Sequence, residues 1–231
     1  EDSQYVNRIT PPYHVDKNKN SCKLFKNLQE FYSVENEIDF EFAKGIKNMR
    51  VVDLGSRDSE NIKGIFNGID KYGSRVKLKR KVHSLEFLES CLVLNLQDCY
   101  IENFDSINEN VLTLNLKNSN FQDLSTLKKL KKLQFLDISD TSVSSLNGIE
   151  SFKDLKVLNC SNIEYTGTEK SKNEFLNQLY WYSNLELLIV DAKLYDEYKK
   201  AMNILSNEKI LVVDTPYKWN VTLSTFDVIK F

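Results

Sequence analysis

Four stretches in the middle of the chain repeat one arrangement of apolar and polar positions: CLVLNLQDC from Cys91, VLTLNLKNS from Val111, LQFLDISDT from Leu133 and LKVLNCSNI from Leu155. Each is apolar at its first, fourth and sixth positions, and the starts lie 20, 22 and 22 residues apart. A further apolar series follows each of the first three: Ile101, Phe104, Ile107; Phe121, Leu124, Leu127; Val143, Leu146, Ile149. Alternation over so few residues predicts a short strand, whose fourth and sixth side chains point to the same side. Those are Leu94 and Leu96, Leu114 and Leu116, Leu136 and Ile138, Leu158 and Cys160. One copy cannot bury that row alone. Stacked copies can, by pairing their strands in parallel while the later apolar series closes the far side of each coil.

These segments resemble leucine-rich repeats of the 22-residue class, which includes phosphatase-regulator and internalin-like repeats; the likeness is clearest from Leu136 to Leu158 and extends over about residues 85–165. The resemblance implies an α/β fold: a leucine-rich repeat solenoid with a parallel concave β-sheet and helices or turns on the convex side. It also implies Asn at the ninth position, bonding neighbouring backbone. Here that position holds Cys99, Ser119, Thr141 and Ile163, so a weaker internal hydrogen-bond ladder is expected.

Outward from this centre the template loosens. Met49, Val52 and Leu54 fit a further strand, and Ile62, Ile65, Phe66 and Ile69 have helical spacing behind a cap at Ser59. Leu24, Phe25, Leu28, Phe31 and Tyr32 predict an amphipathic capping helix. Beyond Leu155 the repeat lengthens to 30 residues, with a capping-box spacing at Ser171 and Glu174 and a helical stripe through Phe175, Leu176, Leu179 and Tyr182. LELLIVDAK from Leu185 and ILVVD at 210–214 read as further strands, separated by a helix near 194–206. The expected organisation is an arm or loop over 1–20 and a single repeat domain over 21–231. Within it, 21–48 forms an N-terminal cap, 49–214 the repeats and 215–231 a C-terminal cap.

Composition narrows the picture. The 231 residues are 41% hydrophobic, enough to build a core, and carry 31 basic against 33 acidic side chains. A net charge of −2 argues against a chain that coats polyanions. No run approaches the length of an apolar membrane span. The four cysteines, Cys22, Cys91, Cys99 and Cys160, form no CxxC pair, and three fall at core positions, where reduced, buried thiols are expected. The chain opens on Glu1 rather than methionine, which reads as a trimmed or processed form and leaves any targeting segment out of view. Sequons at Asn159 and Asn220 add little, and an intracellular setting (cytoplasm or nucleus) is slightly favoured over secretion.

No phosphate-binding glycine loop and no GxSxG elbow occurs, and His14 and His83 are too far apart in sequence for a metal or catalytic pair. No catalytic residue, metal site or cofactor is expected. Surface chemistry remains. The positions between the buried ones should face outward on the inner curve: Val93, Thr113, Phe135, Val157 and Leu187 at the third, Asn95, Asn115, Asp137 and Asn159 at the fifth, and Lys117 at the seventh. An apolar column bordered by amides has the composition of a protein contact, and Phe135 is the expected exposed anchor. The rival signal is the basic run in which Lys77, Lys79 and Lys81 would share one strand face and could grip phosphate. The lysines at 128, 129, 131 and 132 read as a solvated convex surface around Leu127, Leu130 and Leu133. The expected function is non-catalytic binding of a protein partner, possible as a subunit of a larger complex. The alternatives are a ribonucleoprotein subunit using the basic strand, or a secreted adhesin or receptor ectodomain.

Overall fold

The computed structural model describes residues 8–9, 28–32, 37–38, 40–44, 46–55, 66–69, 75–78, 80–164, 179, 184–197, 199–200, 202–203, 211–213, 218–221 and 226–229. Among them runs a nine-stranded sheet in simple sequence order: Arg8–Ile9, Glu30–Tyr32, Val51–Asp53, Val93–Asn95, Thr113–Asn115, Phe135–Asp137, Val157–Asn159, Leu187–Ile189 and Leu211–Val213. Every neighbouring pair is parallel. Third position meets third position throughout the centre, as in Val93 against Thr113 and Phe135 against Val157. This is a leucine-rich repeat solenoid.

The inward positions behave as the alternation requires. Leu94, Leu96, Leu114, Leu116, Leu136, Ile138, Leu158 and Cys160 are all fully buried in one continuous core. Its far side is closed by short 3-10 turns at Phe104–Ser106, Leu124–Leu127 and Ile149–Ser151, with Ile107, Leu127 and Ile149 buried beneath them. The backbone ladder is equally regular. The carbonyl of each second residue accepts two N–H groups from the next coil, as Leu92 does from Leu112 and Thr113, and Leu112 from Gln134 and Phe135.

Several expectations at the ends give way. The predicted capping helix over Leu24–Tyr32 is replaced by the strand Glu30–Tyr32, with Leu28 and Phe31 buried; Leu24 and Phe25 lie outside the described residues. Arg8 pairs with Glu30 and Glu30 with Val51, offsets close to one repeat, so strand stacking continues into the stretch read as an arm. Leu28 and Phe31 are in fact the first and fourth positions of another copy, and the 3-10 turn Phe40–Ala43 closes its coil. Phe31 and Phe40 meet edge to face at 5.8 Å.

The helix expected over residues 62–69 is also corrected where it is described. Phe66–Ile69 is a strand, antiparallel to Arg75–Leu78. Asn67 and Gly68 are poor helix formers, Gly costing about 1 kcal/mol against Ala, and cross-strand pairing prevails over the weak apolar spacing. Residues 59, 62 and 65 lie outside the described set. At the other end, the expected strands appear at Leu187–Ile189 and Leu211–Val213, with helix Ala192–Glu197 between them, beginning slightly earlier than its apolar spacing suggested. The C-terminal segment contains an antiparallel hairpin, Lys218–Val221 with Phe226–Ile229. Most of the 165–183 insertion, including its capping box, lies outside the described residues.

Candidate functional site

On the inner face the third, fifth and seventh positions were expected to stand in solvent. Val93, Val157 and Leu187 are partly exposed, and so are Asn95 and Lys117. Phe135 is not the open anchor expected: it is only 6% exposed. Thr113, Asn115, Asp137 and Asn159 are buried too. Strands less than 5 Å apart bring the same position of successive coils together, so these side chains cover one another. The sequence reading underestimated that mutual burial.

Burial makes the fifth position a structural column. Each residue there accepts the backbone N–H two residues on: Gln97 to Asn95 at 3.1 Å, Lys117 to Asn115 at 2.9 Å, Ser139 to Asp137 at 2.8 Å and Ser161 to Asn159 at 3.1 Å. Between coils, the Asn159 amide donates to Asp137 Oδ2 at 2.9 Å, and the Asn95 amide to Asp53 Oδ1 at 2.8 Å. Gly55 permits the latter contact, because a Cβ there would lie 2.3 Å from Asn95 Nδ2. Asp137 also accepts the Ser139 hydroxyl at 2.6 Å. Desolvation pushes the Asp137 carboxyl above its usual range, against the opposing pull of these donors and of Lys117.

The eighth position forms a second column that sequence reading missed. Asp98, Asn118, Asp140 and Asn162 all have positive φ, between 49° and 61°, a conformation that Asn and Asp tolerate better than other side-chain-bearing residues. Asn118 donates to Asp98 at 2.7 Å and Asn162 to Asp140 at 3.0 Å. The signal was present as a strict Asp, Asn, Asp, Asn alternation in four consecutive copies. The ladder expected to be weak at the ninth position is thus moved to the fifth and eighth. The ninth itself is small or apolar, with the Thr141 hydroxyl donating to the Ile138 carbonyl at 2.6 Å.

The basic run does not assemble as one stripe. Lys77 belongs to the hairpin strand Arg75–Leu78, whereas Lys81 belongs to Arg80–Val82, in a separate parallel sheet with Glu37–Ile38 and Cys99–Ile101; Lys79 lies outside the described residues. Lys81 Nζ sits 2.6 Å from Glu102, whose other oxygen is 2.9 Å from His83 Nδ1. Arg80, read as part of the basic surface, is fully buried. It pairs in register with Cys99, which makes it the ninth-position residue of its coil, and its guanidinium donates to the Leu54 carbonyl. Its Nε and Nη2 are buried without a hydrogen-bond partner, as is Thr113 Oγ1. Burial lowers the Arg80 pKa, opposed by the nearby Cys99, Asp53 and Asp98. The insertion between Leu54 and Arg80 hides this register from any fixed-period reading.

The cysteines at 91, 99 and 160 are buried free thiols, as expected, and burial pushes Cys91 and Cys99 up to about 12 and Cys160 in the same direction. Cys22 and His14 lie outside the described residues. Lys128, Lys131 and Lys132 are exposed around the buried Leu127, Leu130 and Leu133, as the solvated-surface reading requires. Among the described residues no cluster of His, Cys, Asp and Glu is arranged to hold a metal, and no helix is long and apolar enough to cross a membrane.

The geometry defines a class, the leucine-rich repeat proteins, on the evidence of the chain's own strand register and buried columns. No family model matches the chain, and no curated protein is significantly similar to it. Among solved structures it is similar to internalin C2 of Listeria monocytogenes, at 19% identity and a TM-score of 0.45, with 73% of each chain covered. It is also similar to an internalin, InlF, of the same organism, at 12% identity and a TM-score of 0.45, covering 86% of this chain and 71% of that one. The functional domain of Listeria monocytogenes InlJ, described as including a cysteine ladder, aligns at 13% identity and a TM-score of 0.32, over 74% of this chain and 41% of its own. At these values the fold assignment rests on the strand geometry above.

Proposed function

We propose that the chain is a non-catalytic interaction module that holds a protein partner on its inner face. The observation that carries this reading is the row Val93, Val157 and Leu187, partly exposed apolar side chains on a sheet whose polar columns are already hydrogen-bonded internally. Such a surface is rigid before binding, so little ordering cost opposes association. Asn95 and Lys117, both partly exposed, supply polar groups beside that row. Leu92 and Leu112, second-position residues that sequence reading did not select, are also partly exposed and widen the apolar area. Phe135, Thr113, Asn115, Asp137 and Asn159 support the face from within rather than offering contact area.

The test is capture of partners from a cell extract by the immobilised chain, compared with Val157→Asp and Leu187→Asp. Both variants should fold, with stability changes of about 1 kcal/mol or less, and lose a specific partner that the parent retains. Retention of every captured protein by both folded variants would remove the inner face from consideration. The nucleic-acid alternative has less support, because Lys81 already engages Glu102 and Lys77 lies in a different sheet.

A further inference from the structure

We propose that Asn147 is a site of spontaneous backbone rearrangement, with Glu150 as the base that promotes it. Asn147 is exposed and precedes Gly148, at the turn entering the 3-10 segment Ile149–Ser151. An asparagine followed by glycine is chemically labile because the unhindered backbone nitrogen can reach the side-chain carbonyl carbon. Here the fold keeps glycine in place for two independent reasons. Its φ is +97°, and a Cβ would lie 3.2 Å from the Ser125 backbone nitrogen.

The local bonding also favours the reaction. Ser145 Oγ accepts the Asn147 N–H at 3.1 Å, which holds the turn, and Gly148 N donates to Glu150 Oε2 at 3.1 Å. A carboxylate in the plane of that N–H can take its proton while the nitrogen's face stays open to attack. The steps balance without any external oxidant or reductant. The Gly148 nitrogen bonds to the Asn147 side-chain carbonyl carbon, its proton passes to Glu150, and the side-chain amide leaves as ammonia. Water then opens the cyclic imide at either carbonyl, leaving aspartate or, with the backbone rerouted through the side chain, isoaspartate. Either product adds a negative charge beside Glu150 on the convex side.

The experiment incubates the full chain in mildly alkaline buffer and follows the mass gain and isoaspartate content of separate tryptic peptides. Asn67–Gly68, the other Asn–Gly pair in the chain, serves as an internal clock. The expected result is conversion at Asn147 ahead of the other exposed asparagines with non-glycine neighbours. Glu150→Gln should slow it by about threefold, far less than a buried enzymatic base would contribute, with Asn67 unaffected. An intact Asn147 would overturn the proposal. Unchanged conversion in Glu150→Gln would refute the role of Glu150, and so would equal slowing at both sites.

Discussion

Asn159→Asp is the sharpest perturbation of the fifth-position column. In the parent, Asp137 accepts from Ser139 N, Ser139 Oγ and the Asn159 amide, the bonding of an ionised carboxylate. The substitution replaces the donor at 2.9 Å with a second carboxylate. Two full charges at that distance repel by about 6 kcal/mol at an effective dielectric constant of about 20. Taking up a proton is cheaper. It costs about 1.4 kcal/mol for each pH unit above an ordinary Asp pKa, or about 4 kcal/mol near pH 7 and about 1.5 kcal/mol near pH 5. The protonated pair then restores an O–H···O bond where the N–H···O bond stood. The folded variant therefore binds one proton more than the unfolded chain, and its stability rises as pH falls. Urea unfolding of parent and variant across this range should show the deficit shrinking by about 1.4 kcal/mol per pH unit. A deficit below about 1 kcal/mol near pH 7, or one flat with pH, would mean that the column does not couple the coils.

Two further outcomes test other parts of the structure. An aromatic disulfide reagent at neutral pH should leave Cys91, Cys99 and Cys160 unlabelled in the native chain and modify them after denaturation, since burial both shields them and raises their pKa values. Peptide mapping that finds any of these three rapidly labelled under native conditions would contradict the core assignment. Hydrogen bonds from Lys81 and His83 hold the exposed Glu102 carboxyl below its usual range. Its contribution is therefore present above the ordinary Glu pKa and lost as pH falls through the depressed value. Glu102→Gln should lower the unfolding midpoint near neutrality and leave it unchanged in acid; the opposite trend would exclude this pairing.

The stacked coil was legible in sequence because its physics is local and periodic. Leu94, Leu114, Leu136 and Leu158 recur at spacings that only a repeating strand satisfies, and no single copy can bury them. The copy built on Leu28 and Phe31 obeyed the same template but was read as a helix, since three or four apolar residues in a short window suit either period. The Asp and Asn alternation at the eighth position was equally visible. Its meaning depends on a backbone conformation that residue type permits but does not dictate.

Sequence by itself determined the register of the central strands and the identity of the buried leucine column, because alternation assigns each side chain to one side of its own strand. Only the tertiary structure decided how far the other side is exposed. Stacking brings Phe135 between Thr113 and Val157 and closes the fifth-position column. It also turns Arg80 from an apparent surface cation into a core residue, since the chain between Leu54 and Arg80 loops out and returns in register with Cys99. Burial on the inner curve is a property of neighbouring coils, and no single coil encodes it.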